Sequence, residues 1–301
     1  MNKLFSFKDL DNHYNFRIFG FKLSFRHKCN FKYKPASEYG LTTIKRKKQL
    51  IVSLTSFPAR INTTHFSINT LLQQNLKPDK VILWLSDSQF PNKEKDLPNN
   101  IVNLKQLGLE IKWYKQDIRS YKKLIPALQE YPDDIIITAD DDIYYEKDWL
   151  QSLYAKYLDN PKCIIAQRVR RFELNNGTFK VLSSRNFERI DFSLPSYFNQ
   201  MLGGTGCLYP PNSLSNNIFN LEQAMKILPT NDDIYFWAMA VLNKTKIMVA
   251  KGLDGDLYQM NLKETSLSKI NNEIEKDTNK NPFNIVVQAY PEIIHILQGD
   301  M

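Results

Sequence analysis

Short apolar runs alternate with helical stretches from residue 50 onward, and this alternation limits the fold more than any other feature. The predicted strands are Leu50–Leu54, Val81–Leu85, Leu109–Tyr114, Ile135–Thr138 and Cys163–Ala166. Short, mostly apolar runs are typical of strands that are buried on both faces. Strands that alternate with helices form parallel crossover units, so we predict an α/β fold with a mixed, mainly parallel sheet flanked by helices.

The stretches between and after these strands carry weaker signals. We expect a helix that Asn62 caps and that carries Phe66 and Leu72 on its inner side, because asparagine is a favoured helix cap. A second helix is predicted over Lys147–Leu158, and Ile293–Ile296 is interpreted as a strand. Ligands of such sheets bind beyond the carboxyl ends of the strands, which is where we look for a site.

Positive charge is concentrated at the start of the chain. Residues 1–50 hold twelve Lys and Arg against three Asp and Glu, which leaves 28 basic and 29 acidic residues for the rest. The excess of +9 therefore belongs to an N-terminal extension, and the body is nearly neutral. We set the extension at residues 1–48 and the body at residues 49–301, with a donor half over about 49–170 and an acceptor half over about 171–301.

The extension interleaves aromatic with basic residues, and residues 17–23 predict a short hairpin around Gly20. One interpretation is a contact with an anionic membrane surface, with rings at headgroup depth and Lys or Arg on the lipid phosphates. The other is an extension that only covers part of the body. A neutral body argues against a broad nucleic-acid footprint, so no nucleic acid is expected as a partner.

Membrane and redox signals both indicate the cytoplasm. No stretch approaches the roughly 20 apolar residues that span a bilayer, and Lys8, Asp9 and Asp11 interrupt any secretory signal. The three cysteines are odd in number and widely spaced, which favours a reducing compartment. We expect a cytoplasmic protein, peripheral on the inner face of the membrane if the extension binds lipid.

Three adjacent carboxylates, Asp140, Asp141 and Asp142, directly follow the predicted strand Ile135–Thr138 and Ala139. Adjacent carboxylates repel one another unless a cation or hydrogen-bond donors absorb the charge. At a strand end they would line a crevice, where a hard divalent cation finds oxygen ligands and can bridge phosphate groups. The alternative is a solvated acidic turn that caps the following helix.

Two segments together resemble a known family: VSLTSFPAR over residues 52–60 and IITADDDIYY over residues 136–145. They look like bacterial glycosyltransferases of the GT-A fold, similar to the family 2 enzymes of capsule and lipopolysaccharide synthesis. The similarity covers roughly Leu50 to Leu242. It implies a nucleotide-sugar donor, a UDP-sugar being favoured, Mn²⁺ or Mg²⁺ as cofactor, and a glycan or glycolipid acceptor.

The resemblance also implies roles for individual residues. Thr55, Ser56 and Arg60 would lie against the nucleotide, and a guanidinium suits phosphate oxygens. Asp140 would contact the ribose or the metal, and Asp142 would be the principal metal ligand with Asp141 nearby. Further contacts lie later in the chain: Lys123 near the donor, Arg168 near the phosphates, and Gly203 and Gly204 under the donor sugar or the acceptor. The structural alternatives are solvated lysines for Lys123 and its neighbour, an ion pair with a nearby acid for Arg168, and a tight turn for the two glycines.

A second acidic pair, Asp232 and Asp233, follows the glycine segment. Transfer with inversion needs a base that takes the proton of the acceptor hydroxyl, and relatives carry a carboxylate at the start of a helix here. We choose Asp233 as this base and expect Asp232 to cap the helix, although aspartates at a helix start are also common as plain caps.

Two other functions stay open at this point. A sugar-phosphate nucleotidyltransferase shares the architecture and the metal chemistry, but its glycine-rich first loop is missing here. A non-enzymatic binder of nucleic acid or acidic glycan would use the basic extension.

Overall fold

The computed structural model describes residues 5–10, 13–18, 21–26, 33–175, 178–182, 194–250, 258–259 and 281–300. Its strands are β1 Phe5–Leu10, β2 His13–Ile18, β3 Phe21–Arg26, β4 Leu50–Thr55, β5 Lys80–Ser86, β6 Leu109–Tyr114, β7 Ile135–Ala139, β8 Ile143–Tyr144, β9 Ile164–Ala166, β10 Val169–Asn175, β11 Thr178–Val181, β12 Asn199–Met201, β13 Cys207–Tyr209, β14 Ile247–Val249 and β15 Tyr258–Gln259. Its α-helices are α1 Ile61–Leu71, α2 Asn99–Val102, α3 Ile125–Glu130, α4 Trp149–Asp159, α5 Leu221–Ile227, α6 Asp232–Leu242, α7 Pro282–Ala289 and α8 Glu292–Gln298.

Seven strands form the central sheet in the order β14-β9-β13-β7-β4-β5-β6. β4 pairs in parallel with β5 and β7, and β5 pairs in parallel with β6. β14 is parallel to β9, whereas β13 runs antiparallel to both of its neighbours. The predicted mixed, mainly parallel sheet flanked by helices is confirmed.

Alternation along the central strands divides the hydrophobic core into two layers. On β4, Ile51 faces one cluster of buried side chains and Val52 faces the other, because successive side chains of a strand point to opposite faces. Each of these side chains is fully buried. Burial of a side chain of this size contributes roughly 1.5–3 kcal/mol to the stability of the fold. A run that is apolar at every position therefore suits a strand covered on both faces.

β13 brings the glycine segment to the site. Its residue Cys207 pairs with Thr138 near the end of β7, and Leu208 pairs with Ile137. Since β13 runs antiparallel, the residues just before it, Gly203–Thr205, lie beyond the carboxyl end of β7 as a single 3-10 turn. The sequence alone did not predict this strand.

Residues 33–48 of the extension pack against the edge of the sheet where β4 and β5 begin. The Thr42 amide donates to the Pro78 carbonyl at 2.9 Å, and Arg46 donates to Asp79 Oδ2 at 2.6 Å. Nearer the N-terminus, β2 and β3 pair antiparallel, as the predicted hairpin requires. Within the described residues no helix has the length and apolar character that crossing a bilayer requires.

Two local predictions were wrong. The N-cap of α1 is Arg60 rather than Asn62, and Phe66 is only partly buried while Leu72 lies in the core. Ile293–Ile296 belongs to α8 and not to a strand. In α8 only Ile293 and Leu297 are buried, a spacing of four residues that suits one face of a helix.

Candidate active site

The acidic cluster lies where the sheet predicts it, directly after β7. Ser56, from the loop after β4, donates to Asp141 Oδ2 at 2.5 Å. Arg60 Nη1 lies 2.9 Å from Asp141 Oδ1 and 3.2 Å from Asp142 Oδ2. The cluster is therefore neutralised in part by the first loop, and the two sequence segments that carry the resemblance are in contact.

Burial decides the electrostatics of this contact. Asp141 and Asp142 are each 5% exposed, so the solvated acidic turn is excluded, and the N-cap of α4 is Asp148 instead. Burial raises the pKa of Asp141 above its ordinary value, and the Arg60 charge only partly opposes this. Burial acts to lower the pKa of Arg60, but the charges of Asp141 and Asp142 outweigh it and the pKa is raised.

Asp140 is held differently from its two neighbours. Its side chain is 32% exposed, and its Oδ1 lies 3.0 Å from Lys123 Nζ. The Asp140 amide donates to the Tyr145 hydroxyl oxygen at 2.7 Å, and that hydroxyl donates to the Gly204 carbonyl at 2.9 Å. Among the three carboxylates, Asp140 is the one that faces solvent, and Tyr145 joins its backbone to the glycine segment.

Lys123 closes the 3-10 turn Arg119–Lys123, which follows β6. Its Nζ pairs with Asp140 on one side and lies 3.0 Å from Asp232 Oδ2 on the other. Burial acts to lower the pKa of this lysine, but the charges of Asp140, Asp232 and Asp233 outweigh it and hold the pKa well above its usual range. Lys123 is therefore a buried cation between the two acidic motifs.

Asp232 is the first residue of α6 and does not cap that helix. The N-cap position belongs to Asn231. Asp232 Oδ1 instead accepts from Ser120 Oγ at 2.8 Å, so both of its oxygens face the Arg119–Lys123 turn. The expectation that Asp232 serves as the cap was wrong, because a tertiary partner holds its carboxylate.

Asp233, the next residue, is the carboxyl group whose proton affinity is perturbed toward neutral pH. Burial and the negative charge of Asp232 raise its pKa to about 7, and the Lys123 ammonium only partly opposes them. Its Oδ1 is buried and has no hydrogen-bond partner among the described residues. A carboxyl with a pKa near the operating pH is suited to accept and release a proton.

Two carboxylates approach the backbone of residues 203 and 204 closely. A Cβ atom at residue 203 would lie 2.4 Å from Asp233 Oδ1, and one at residue 204 would lie 2.5 Å from Asp140 Oδ2. Any other residue would displace one of these side chains. The tight turn and the site are therefore the same feature.

Two further predicted site residues, Thr55 and Arg168, are seen in other contacts. Thr55 Oγ1 donates to the Trp84 carbonyl at 2.8 Å, so its side chain ties the end of β4 to β5. Arg168 meets the glycine segment through its backbone, whose carbonyl accepts from the Leu202 amide at 3.0 Å. For Arg168, the predicted contact of its side chain with phosphate stays a prediction.

Sequence reasoning missed three residues that organise the site: Ser53, Ser120 and Tyr145. Ser53 Oγ donates to the Lys123 carbonyl at 2.6 Å, across 70 positions of the chain. Ser120 belongs to a segment with a visible signal, since it lies next to Lys122 and Lys123. Ser53 and Tyr145 lie within the two segments that carry the resemblance, but the sequence did not show their contacts, because Lys123 and Gly204 are distant in the chain.

Comparison with known proteins gives one match by family. The model of the family described as glycosyl transferase family 2 matches residues 60–216, just over half of the chain. This range contains Arg60, Lys123, the acidic cluster and both glycines, and it ends before Asp232 and Asp233. No curated protein matches the chain by sequence.

Solved glycosyltransferases are among the structures similar to this chain. A mannosyltransferase from Pyrobaculum calidifontis, in complex with GDP-Man and Mn²⁺, is 11% identical with a TM-score of 0.43; the match covers 73% of this chain and 59% of that one. GalNAc-T7 with UDP, GalNAc and Mn²⁺ is 10% identical with a TM-score of 0.46, covering 71% and 44%. S. aureus TarS 1-349 is 15% identical with a TM-score of 0.45, covering 70% and 60%. The match thus spans less than two thirds of each of these structures.

The family match begins at Arg60 and includes the acidic cluster and the glycine segment, which the fold brings into contact. The chain therefore belongs to glycosyl transferase family 2, and its mainly parallel sheet flanked by helices is that expected of the GT-A fold.

Proposed function

We propose that this glycosyltransferase moves a sugar from a nucleotide-sugar donor, with a UDP-sugar favoured, to a hydroxyl group of a growing capsule or lipopolysaccharide glycan. One observation carries the proposal. Lys123 lies 3.0 Å from Asp140 and 3.0 Å from Asp232. It therefore connects the acidic cluster at residues 140–142, which suits the donor, to the pair Asp232 and Asp233, which contains the proposed base. A transferase that binds a charged donor beside an acceptor needs both functions in one crevice.

A divalent cation, Mn²⁺ or Mg²⁺, belongs to this proposal, and Asp140 is the carboxylate best placed to bind it, since its side chain is 32% exposed. Asp142, the predicted principal ligand, is buried and lies 3.2 Å from Arg60, so it would bind a metal only if this pair opened. No three His, Cys, Asp or Glu side chains converge in the part of the chain that the structure describes. One or two carboxylates suffice for a Mg²⁺-like ion that also binds the donor phosphates.

Charge supports the same assignment. Two cations, Arg60 and Lys123, face five aspartates at residues 140–142 and 232–233. The crevice thus holds an excess of carboxylates that a divalent cation would reduce. When bound, such an ion would stabilise the negative charge that develops on the departing nucleoside diphosphate.

The residues of this chain would divide the remaining work. Ser56 and Arg60 hold Asp141, and with Thr55 they form the wall proposed to lie against the nucleotide. Asp233 would take the proton of the acceptor hydroxyl. The oxygen of this hydroxyl then bonds to the anomeric carbon of the donor sugar, and the bond between that carbon and the phosphate oxygen breaks. The Asp233 pKa of about 7 keeps a large fraction ionised at neutral pH.

The extension supports a place at the inner face of the membrane. Ile44 is 74% exposed, and Lys45, Lys47 and Lys48 around it are exposed as well. An apolar side chain within a basic run suits an anionic lipid surface. Vesicles with phosphatidylglycerol should bind the protein, and the change K45E/K47E/K48E should weaken this binding more than K95E/K115E/K162E, which reverses the same number of exposed lysines on the body.

The function is tested with a panel of UDP-, GDP- and CDP-sugars, each with Mn²⁺ or Mg²⁺. A bound donor stabilises the folded state, so a rise of the melting temperature identifies the nucleotide, and sugar transfer to a glycan acceptor is then measured with it. We expect Asp142→Ala to abolish metal-dependent transfer with the fold intact, while Asp159→Asn, at an exposed position on α4, changes neither. Full activity of Asp142→Ala would refute the metal assignment.

A further inference from the structure

Lys123 is too deeply buried to serve simply as a surface cation for phosphate. Its side chain is 4% exposed, and two carboxylates, Asp140 and Asp232, lie 3.0 Å from its Nζ. A cation at this depth is stable only when charges and hydrogen bonds compensate its desolvation. Without a bound ligand, the Lys123 ammonium therefore forms ion pairs with both acidic motifs.

Contacts at both ends limit where this ammonium can move. Ser53 Oγ binds the Lys123 carbonyl at 2.6 Å and ties the turn to β4. Ser120 Oγ binds Asp232 Oδ1 at 2.8 Å and ties the same turn to α6. The lysine thus has a fixed backbone, and its side chain lies between one carboxylate that is partly exposed and one that is buried.

A divalent cation and this ammonium would seek the same oxygens. Asp140 Oδ1 is the oxygen that Lys123 occupies, and Asp140 is the exposed carboxylate of the cluster. Two cations on one carboxylate repel each other, so occupancy by a metal weakens the pair of Lys123 and Asp140. Asp232 is the partner that can then hold the lysine.

We propose that Lys123 is a positioning residue that competes with the divalent cation for Asp140 and is retained by Asp232 when the cation binds. This inference rests on the proposed role of Asp140 as a metal ligand. It assigns Asp232 a role apart from the base: Asp232 draws the lysine away from the metal site. The side chain of Lys123 would thus couple donor binding at Asp140 to the carboxylate pair Asp232 and Asp233.

The test is a double-mutant cycle on Mn²⁺ affinity, measured from the electron paramagnetic resonance signal of free Mn²⁺ with and without UDP. Asp232→Asn should weaken Mn²⁺ binding about tenfold in the wild-type background, a size typical of coupled neighbours. In the Lys123→Met background the same change should have little effect, because the competitor is absent. Lys123→Arg keeps the charge and should preserve the effect.

A matched control separates this coupling from the general loss of a negative charge. Asp233→Asn removes the neighbouring carboxylate, whose charge acts on Lys123 without a direct ion pair, so its effect on Mn²⁺ binding should depend on Lys123 less than that of Asp232→Asn does. Ser120→Ala changes no charge, frees Asp232 Oδ1 and should weaken Mn²⁺ binding in the same direction as Asp232→Asn. Ser120→Ala and Lys123→Arg keep the test decisive if Lys123→Met does not fold, which circular dichroism shows.

The outcomes are distinguishable. If Asp140→Asn leaves Mn²⁺ binding unchanged, or if the wild-type protein binds no Mn²⁺, both the metal assignment and this inference are overturned. If Asp140→Asn abolishes binding but Asp232→Asn has the same effect in both backgrounds, only the inference is wrong. If Lys123→Met does not fold, an unchanged Mn²⁺ affinity in Ser120→Ala overturns it instead.

Discussion

Gly203 lies so close to Asp233 that a Cβ atom at residue 203 would stand 2.4 Å from Asp233 Oδ1. A carbon atom at that distance is a steric overlap, so the backbone of the glycine segment and the carboxyl group of the proposed base define each other's position. The relationship links a sheet-edge turn to the first turn of α6, and it makes the geometry of the base sensitive to a single methyl group.

Gly203→Ala should therefore reduce both stability and transfer. The added methyl displaces Asp233, and we expect a loss of about 1–3 kcal/mol in the free energy of unfolding by urea, as for other overpacked sites. Gly299→Ala is the control, because its Cβ would meet nothing nearer than 3.5 Å. Equal behaviour of the two variants would show that the glycine segment has room to adjust.

The pH dependence of transfer follows from the pKa of Asp233. Because the ionised carboxylate is the base and its pKa in the ligand-free protein is about 7, kcat/KM should rise about tenfold per pH unit below 7 and level off above it. Asp233→Asn should lower kcat by about 10²- to 10⁴-fold. A rate that is independent of pH between 5 and 8 in the wild-type enzyme would exclude Asp233 as the base.

The same carboxyl should also affect stability, with a definite sign. Its folded pKa of about 7 exceeds the ordinary value of 3.8, so the folded protein binds an extra proton between these values. Stability is then highest below the unfolded pKa and falls as the pH rises toward 7. Asp233→Asn stays neutral, so its melting temperature relative to wild type should increase from pH 4 to pH 8. Asp159→Asn, which removes an exposed carboxylate of α4, is the control variant measured beside it.

Arg60→Ala should destabilise the protein and impair donor binding together. Without the guanidinium, the buried carboxylate of Asp141 loses its charged partner, which costs about 3–5 kcal/mol. Arg46→Ala is the matched control, because it removes an Arg–Asp pair of 2.6 Å at the opposite edge of the sheet. Urea unfolding and calorimetric titration with UDP and Mn²⁺ should show both effects for residue 60 and only lower stability for residue 46.

Much of the sheet could be predicted because its strands are buried on both faces. β6 was predicted at its observed bounds, and β4, β5 and β7 within one residue at each end. A run such as Ile135–Ala139 excludes water at every position, so its composition alone indicates a central strand. The place of the acidic cluster at the strand's carboxyl end follows from the same run.

Local signals failed where a tertiary contact competed with them. Asn62 is a good helix cap by residue type, but the N-cap of α1 is Arg60, two residues earlier, and its side chain binds Asp141. Asp232 is a good cap as well, yet Ser120 and Lys123 hold its carboxylate. A charged or hydrogen-bonded partner that is distant in sequence outweighs a cap, whose contribution is about 1 kcal/mol.

The sequence by itself determined the α/β fold, the edge of the sheet where the site lies and the residue types that its chemistry needs. Tertiary structure decided which of these residues meet. The antiparallel strand β13 carries Gly203 and Gly204 to the end of β7, and the turn after β6 inserts Lys123 between Asp140 and Asp232. The contact between Ser120 of this turn and Asp232 joins residues 112 positions apart. Periodicity and composition report local burial, whereas such pairings depend on how separate elements pack, so only the folded chain shows them.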